Sequence, residues 1–498
     1  MAQKDLIVVS SNPAIPLKEL WASDTSADSE EIQLFKNASS SKSTREKTGS
    51  DVPYIKINDV QITDIDQLII DETGTIPTVK AIFTDITGAL SGPNYPKTDP
   101  ILSVYIKSQN EKFKPIRCDF LITRIKTNQD PILNASIIHS GATFIMTGEL
   151  FIPKIYNNVS RSYADMNSKD ALKKIAVQND LGFASNEFTT NDKMTWLNTN
   201  KSSLKFIDHI ARHSYLNDDS FFTAFIDKYY HLTFVNIAEQ LNPTHEHNKT
   251  FDNTVDSSEL DISQTAKKMQ STELTSEVLA VTGLNNKESF KGKPEFTINY
   301  SLMGDTGAIL KNKGFKRQIY YYDPLIDGDK FTSFFVNPIT IKGYKGQMQI
   351  GLEPDDVSLK ESIIKKWMNI DYGNAHSEWN ASVLINDHNL SELNKVKLKV
   401  ETAGINFQVT RGNAVPVMLF LPGAISVERN AHISDMFKDG ESNVRPNDST
   451  LVEDKILSGK YYVSGVRYIY DSLNSEYPFK TEFQLARVNW LGEKNIIN

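Results

Sequence analysis

The sequence contains very little cysteine: Cys118 is the one cysteine among 498 residues. A single thiol cannot form a disulfide within the chain or supply a zinc site made of thiolates. We therefore expect synthesis in a reducing, cytoplasmic compartment. Cys118 alternates with Phe120 and Ile122 in an apolar strand pattern, which predicts a packed side chain.

Long hydrophobic runs and an excess of positive charge are also missing. No stretch approaches the roughly 18 consecutive apolar residues that a membrane-spanning helix needs. The first residues, MAQKDLIVVSS, lack a basic start and a long apolar centre, so we expect no signal peptide. The formal net charge of −8 argues against a surface dedicated to binding phosphate, because nucleic-acid binders show clustered Lys and Arg.

Familiar catalytic and metal-binding signatures are absent from the sequence. It contains no GxSxG elbow, no GxxxxGK[ST] loop and no strand-linked GxGxxG. His209 and His213 have helical spacing, but Ile-Ala-Arg follows His209 where a metalloprotease has glutamate. Asp323 and Asp327 resemble a calcium loop whose twelfth position is Phe334 instead of glutamate. We therefore expect no catalytic residue, no cofactor and no metal, and predict that the chain is not an enzyme.

Strand patterns dominate what is present. Runs of β-branched and aromatic residues alternate with Gly, Pro, Asn and Asp clusters, which predicts an α+β protein that is mainly β. The predicted parts are a flexible N-terminal arm (1–53), a first β-rich domain that is an antiparallel sheet or a small barrel (54–158), an α+β domain (159–238), a polar connection with additional strands (239–334), a second β-rich domain (335–425 with 454–490) and a polar insertion loop (426–453).

Two helices and a hairpin are predicted in the α+β domain. Ser168 is the expected cap of the first helix and Gly182 marks its expected end, while a second helix follows Ser202 and Ser203. The hairpin pairs residues 221–226 with residues 232–235 across a tight polar turn.

Three further elements are predicted elsewhere. Ser358 and Glu361 have the spacing of a capping box, which predicts a helix that includes Ile363. A strand is predicted over residues 381–385. Near the start of the chain, the apolar residues 6–9 are expected to dock onto another part of the protein as an added strand.

The segment 196–237 has a recognisable order of elements. Its sequence, WLNTNKSSLKFIDHIARHSYLNDDSFFTAFIDKYYHLTFVNI, gives an aromatic residue, a Ser-capped helix, a short acidic turn and two apolar strands. This order resembles the helix-plus-hairpin unit of baseplate central hub proteins of contractile-tailed bacteriophages. That family is related to the hub part of type VI secretion spike proteins and to tail-associated proteins of flexible-tailed phages. Residues 457–466 (LSGKYYVSGV) and 479–487 (FKTEFQLAR) are similar to its closing strands.

The resemblance implies a structural function. Members of the family form rings of three chains, and each chain has two similar barrels that act as tube domains. It therefore implies a homotrimer that joins the six-fold tail tube to the three-fold central spike and leaves a channel for DNA ejection. The implied partners are the tail tube protein, the central spike protein, the baseplate wedge and tape-measure proteins, and DNA that passes without specific binding. The implied location is the virion tail baseplate, after assembly in the host cytoplasm.

A second class of function remains open. Two carboxylates that meet only in the folded chain would form a glycosidase site without any local motif. A virion-associated wall-degrading or carbohydrate-binding tail component is therefore the alternative.

Five aromatic residues are candidate assembly contacts: Trp196, Phe221, Phe222, Tyr229 and Tyr230. Large aromatic side chains anchor both cores and interfaces, so packing within the α+β domain is the alternative for each, and it is favoured for Trp196. Tyr229 and Tyr230 belong to the predicted hairpin turn, where burial within one chain is harder to arrange.

Overall fold

The computed structural model describes one nearly continuous block within residues 53–241 and shorter pieces before and after it. The described residues are 7–10, 53–58, 60–62, 64–90, 92–106, 116–128, 141–218, 220–241, 279–281, 297–304, 317–322, 331–336, 362–365, 375–393, 396–404, 410–419, 459–474 and 477–487. Most of the predicted arm and of the polar connection lies outside them. The predicted insertion loop (426–453) lies entirely outside them.

Antiparallel strands dominate these residues, as the sequence predicts. In chain order the strands are β1 (Ile7–Ser10), β2 (Tyr54–Ile57), β3 (Val60–Ile62), β4 (Ile65–Asp71), β5 (Thr78–Asp85), β6 (Ile101–Ile106), β7 (Ile116–Asn128), β8 (Ala142–Leu150), β9 (Asn158–Met166), β10 (Gly182–Ser185), β11 (Met194–Ser202), β12 (Phe222–Ile226), β13 (His231–Asn236), β14 (Leu279–Val281), β15 (Thr297–Gly304), β16 (Arg317–Tyr322), β17 (Phe331–Val336), β18 (Ser362–Lys365), β19 (Val396–Ala403), β20 (Ala414–Leu419), β21 (Gly459–Asp471) and β22 (Phe479–Arg487).

The α-helices of the described residues are α1 (Ser168–Gln178), α2 (Ser203–His213), α3 (Ile237–Leu241) and α4 (Trp379–Leu393). None of them combines the length and the apolar composition that crossing a membrane requires.

Thirteen strands form one sheet. Its main path runs β15-β19-β22-β21-β4-β5-β8-β7-β6-β2-β3, and β20, with β14 beside it, joins at β21. Strands β2 to β8 belong to the first predicted barrel, whereas β19 to β22 belong to the second. The two groups meet where β21 pairs with β4, with Tyr468 opposite Ile70.

The length of β21 explains this union. Its first residues pair with β20 and its last residues pair with β4, so one strand bridges both groups. Within the described residues the path ends at β15 and at β3 and does not return on itself. The sequence correctly predicted a mainly β, α+β protein, but the two separate closed barrels are not confirmed.

The α+β unit is built around a second sheet of four strands in the order β1-β10-β13-β12. Strands β12 and β13 are the predicted hairpin. The second predicted helix is confirmed as α2, which begins at Ser203, one residue earlier than predicted, with Ser202 at its N-cap position. The apolar stripe of α2 is buried because Phe206, Ile207 and Ile210 recur at helical spacing on the face turned to the core. The predicted docking of the N-terminal apolar residues is also confirmed, since β1 pairs antiparallel with β10.

The ends of α1 differ from the prediction. Asn167, and not Ser168, is the cap, because the Asn167 side chain accepts a hydrogen bond from the backbone N–H of Asp170. Ser168 is buried instead, with its hydroxyl 3.0 Å from that of Thr190. The helix ends at Gln178, and Gly182 is already the first residue of β10.

Two predictions in the C-terminal half were wrong. Ile363 lies in β18, opposite Gln318 of the parallel strand β16, so strand pairing prevails over the local capping signal. Residues 381–385 belong to α4 instead of a strand. A short apolar run fits either structure, and the tertiary contacts of this run select the helix.

Candidate functional site

The five candidate assembly residues lie in or beside the core of the α+β unit. Trp196, Phe221, Phe222 and Tyr230 are each 3% exposed or less, and Tyr229 is partly buried. The Trp196 indole N–H donates to the carbonyl of Met166 at 3.0 Å, which satisfies its polar atom within the chain. An assembly role for these residues remains a prediction, but four of them have little surface to offer while the unit is folded as described.

The turn between β12 and β13 is held by its own side chains. The Asp227 carboxylate accepts hydrogen bonds from the backbone N–H groups of Tyr229, at 2.8 Å, and His231, at 2.9 Å. Tyr230 has a φ of 60°, which places it in the left-handed region. This tight turn projects residues 227–230 beyond the sheet, and we call these four residues the hairpin tip.

The first β-rich group surrounds one side of the hairpin tip. The Tyr230 hydroxyl accepts a hydrogen bond from the Asp119 N–H at 2.9 Å. The Cys118 thiol donates to the Lys228 carbonyl at 3.4 Å. Just before the tip, the N–H of Ile226 donates to the carbonyl of Thr75 at 2.8 Å. Cys118 is therefore a packed side chain, as predicted, and burial raises the pKa of its thiol.

A buried ion pair lies at the centre of the contact. The Lys228 ammonium is 3.4 Å from Glu72, whose other carboxylate oxygen accepts the Lys228 backbone N–H at 2.6 Å. The two side chains are only 2% and 1% exposed. Burial raises the pKa of Glu72, and the charge of Lys228 offsets part of that rise. Although burial opposes the charge of Lys228, attraction to Glu72 and to the neighbouring tyrosines outweighs it and raises the pKa of Lys228.

The second β-rich group covers the opposite side. The ring of Tyr468, on β21, is centred 5.1 Å from the Lys228 ammonium, in the range of a cation–π contact. Beside it, Arg467 binds Asp71 at 2.8 Å and Glu482 at 3.1 Å, which ties β4, β21 and β22 together. The hairpin tip is thus inserted where the two β-rich groups meet.

Helix α4 fastens the α+β unit from a distant part of the sequence. The Asn386 amide donates to the carbonyls of Arg212 and Ser214, at 2.9 and 3.1 Å, and its oxygen accepts the Phe222 N–H at 2.8 Å. These bonds satisfy the end of α2 and the start of β12 together. Trp379, at the start of α4, stacks on His213 with ring centroids 3.6 Å apart.

The histidine pair on α2 belongs to this helix contact. The His209 and His213 rings are 4.7 Å apart, and the Nδ1 atom of His213 lies 3.3 Å from the Trp379 carbonyl. They border an open groove of about 500 Å³ between α2 and α4, which is also lined by Lys201 and Asp387. Among the described residues, no group of three or more His, Cys, Asp and Glu side chains is arranged to hold a metal ion.

The contacts just described join residues that lie far apart in the sequence. Glu72 and Lys228 were not singled out from the sequence, and no local signal marks them, because 156 positions separate them in the chain. The same holds for Asn386, whose partners at the end of α2 lie more than 170 positions away.

No family model matches the sequence. No curated protein matches it either. Among solved structures, a tail protein from Neisseria meningitidis MC58 is 8% identical, with a TM-score of 0.45, over 88% of this chain and 97% of that chain. The 43 kDa tail protein of prophage MuSo2 from Shewanella oneidensis is 8% identical, with a TM-score of 0.48, over 87% and 98%. The half-lidded PdpA-VgrG complex of Francisella is 9% identical, with a TM-score of 0.39, over 97% and 66%. These three structures are two tail proteins and a VgrG complex.

Proposed function

We propose that this chain is the structural hub of a phage tail baseplate, with no enzymatic activity. Three copies form a ring that joins a six-fold tail tube to a three-fold central spike and leaves a channel for DNA ejection. The two β-rich groups act as the tube domains, 54–158 and 335–425 with 454–490. The proposed partners are the tail tube, the central spike, and the wedge and tape-measure proteins.

The observation that supports this proposal best is the single sheet that contains both β-rich groups. Its described path ends at two different strands, β15 and β3. Edge strands favour pairing with another chain unless they are covered. A contact that joins two different edges is heterologous, and heterologous contacts close into a ring when the rotation between copies permits it.

The hairpin tip supplies the stiffness that an adaptor requires. It contacts β7 through Tyr230 and β21 through Lys228, and it reaches Glu72 in the connection between β4 and β5. A buried charged pair tolerates little displacement, because separating the charges leaves each one desolvated and unpaired. A change in the angle between the two β-rich groups would therefore disturb this pair.

The mass of the purified protein in solution tests the proposal. One chain has a mass of 56.1 kDa, so light scattering is expected to give about 170 kDa for three copies, either alone or with a spike protein present. A monomer under both conditions would contradict the ring.

The alternative function has its own assay. Purified peptidoglycan sacculi are incubated with the protein, and with a lysozyme control that releases soluble fragments. No release by this protein is expected. Release above buffer would contradict the hub proposal and support a wall-degrading tail component.

A further inference from the structure

Strand β1 lies at one edge of the four-stranded sheet and is far in the sequence from the other three strands. After Ser10, the next described residue is Pro53, and the roughly 40 residues between them span up to ~130 Å when fully extended. Strand β1 pairs antiparallel with β10, with Ile7 opposite Ser185 and Val8 opposite Ala184. The other edge of β10 is already paired with β13.

Strand β10 requires a partner on the side that β1 covers. All four of its residues are buried, and removing β1 would turn it into an edge strand of this sheet. An apolar edge with unpaired backbone groups invites strand addition. The bonds that β1 supplies are backbone bonds, so β10 has no means of distinguishing its own β1 from the identical strand of a second copy.

A second copy is within reach of β1. A compact chain of this length has a radius of gyration of about 23 Å, hence a diameter of about 60 Å. The connection from Ser10 to Pro53 exceeds that diameter about twofold when extended. A neighbouring copy in the proposed ring stays within a fixed distance, which raises the effective concentration of its β10 edge for β1.

We propose that β1 of each copy completes the four-stranded sheet of a neighbouring copy by pairing with that copy's β10. This exchange rests on the proposed ring of copies. The same backbone bonds that complete the sheet then also link one copy to the next, so the ring gains an attachment without any additional contact surface. The partner at the β10 edge is thus a second copy of this chain.

Engineered cysteines test the exchange. Val8 and Ala184 face each other across the strand pair, and the native thiol of Cys118 is buried. Chains with Val8→Cys and chains with Ala184→Cys, distinguished by a size tag, are expressed together, oxidised and separated on a non-reducing gel. A covalent product that contains one chain of each kind is expected. The matched control expresses chains with Val8→Cys together with chains with Val177→Cys, an exposed position on α1 outside the strand pair. This control should give no covalent product that joins the two kinds of chain.

The double variant Val8→Cys/Ala184→Cys separates the two proposals. Covalent dimers and trimers are expected, whereas disulfides only within single chains would overturn the exchange. A trimeric mass together with disulfides only within chains would support the proposed ring and contradict the exchange. A monomeric mass would contradict both proposals.

Deletion of residues 1–10 gives an independent measurement. The trimer of the shortened chain is expected to dissociate at a protein concentration at least tenfold higher than the concentration at which the trimer of the full chain dissociates, because one link per interface is lost. Dissociation at an unchanged concentration would overturn the exchange even if none of the engineered cysteines oxidised.

Discussion

Removing the charge of Lys228 is the sharpest perturbation of the hairpin tip. Lys228→Met keeps most of the side-chain volume but leaves the Glu72 carboxylate, 1% exposed, without its cation. Breaking a buried ion pair by removing one partner costs about 3–5 kcal/mol, because the remaining charge is desolvated and unpaired. We expect the free energy of unfolding at pH 7.5 to fall by about this amount.

A second substitution, at Glu72, tests whether the unpaired carboxylate causes the loss of stability. Lys228→Met/Glu72→Gln removes both charges. The amide oxygen of the new glutamine can still accept the hydrogen bond from the backbone N–H of residue 228, which the Glu72 carboxylate accepts at 2.6 Å. The double variant is therefore expected to recover most of the loss, to within about 1.5 kcal/mol of the original protein. Urea unfolding followed by tryptophan fluorescence, at a fixed protein concentration, measures all three differences.

An exposed ion pair provides the matched control. Lys193 lies 3.0 Å from Asp165, with side chains 64% and 81% exposed. Lys193→Met is expected to change the free energy of unfolding by no more than about 1 kcal/mol, because water screens this pair. The reasoning is refuted if Lys228→Met costs no more than this control, or if the double variant is no more stable than Lys228→Met.

Two further predictions concern the pH dependence of stability and a close backbone approach. Burial raises the pKa of Glu72 above its ordinary value of 4.5, so the folded chain keeps this proton at pH values where the unfolded chain has lost it. The contribution of Glu72 to stability therefore falls as the pH rises from 4.5 towards its pKa in the folded chain. Glu72→Gln should flatten this part of the plot of unfolding free energy, measured with urea, against pH. An unchanged slope would contradict the assignment to Glu72. A Cβ atom at Gly148 would lie 2.5 Å from the Leu121 carbonyl oxygen, whereas at Gly74 the nearest atom is 3.4 Å away. Gly148→Ala should lower the free energy of unfolding by about 1–3 kcal/mol and Gly74→Ala by clearly less, and equal losses would count against the described pairing of β7 with β8.

Elements with strong local patterns could be predicted from the sequence. The stripe of Phe206, Ile207 and Ile210 predicted α2, and the apolar runs around a polar turn predicted the hairpin of β12 and β13. The docking of the N-terminal apolar residues was also predictable, because an isolated apolar run next to polar sequence needs a partner.

Elements selected by distant contacts could not be predicted. Residues 381–385 form a short apolar run that also fits a strand, but they lie in α4, where the next residue, buried Asn386, bonds the end of α2 and the start of β12. Ile363 has a helix cap before it in the sequence, yet the open edge of β16 pairs with it as a strand. Long-range pairing prevailed over local preference in both cases.

The candidate site also combines features that the local sequence predicts with features that depend on distant contacts. The sequence identified Tyr229 and Tyr230 as residues of a turn, which is correct, and expected burial there to be difficult. The structure buries Tyr230, with its hydroxyl against β7, because the two β-rich groups together enclose the hairpin tip. The enclosing residues Glu72 and Tyr468 come from opposite ends of the chain, so their meeting with Lys228 depends on the complete fold.

Electron microscopy of the purified protein tests the central claim most directly. The proposed hub predicts class averages of a ring with three-fold symmetry and a central hole wide enough for double-stranded DNA. Compact particles without a hole, or rings with a symmetry that three copies cannot form, would contradict the account.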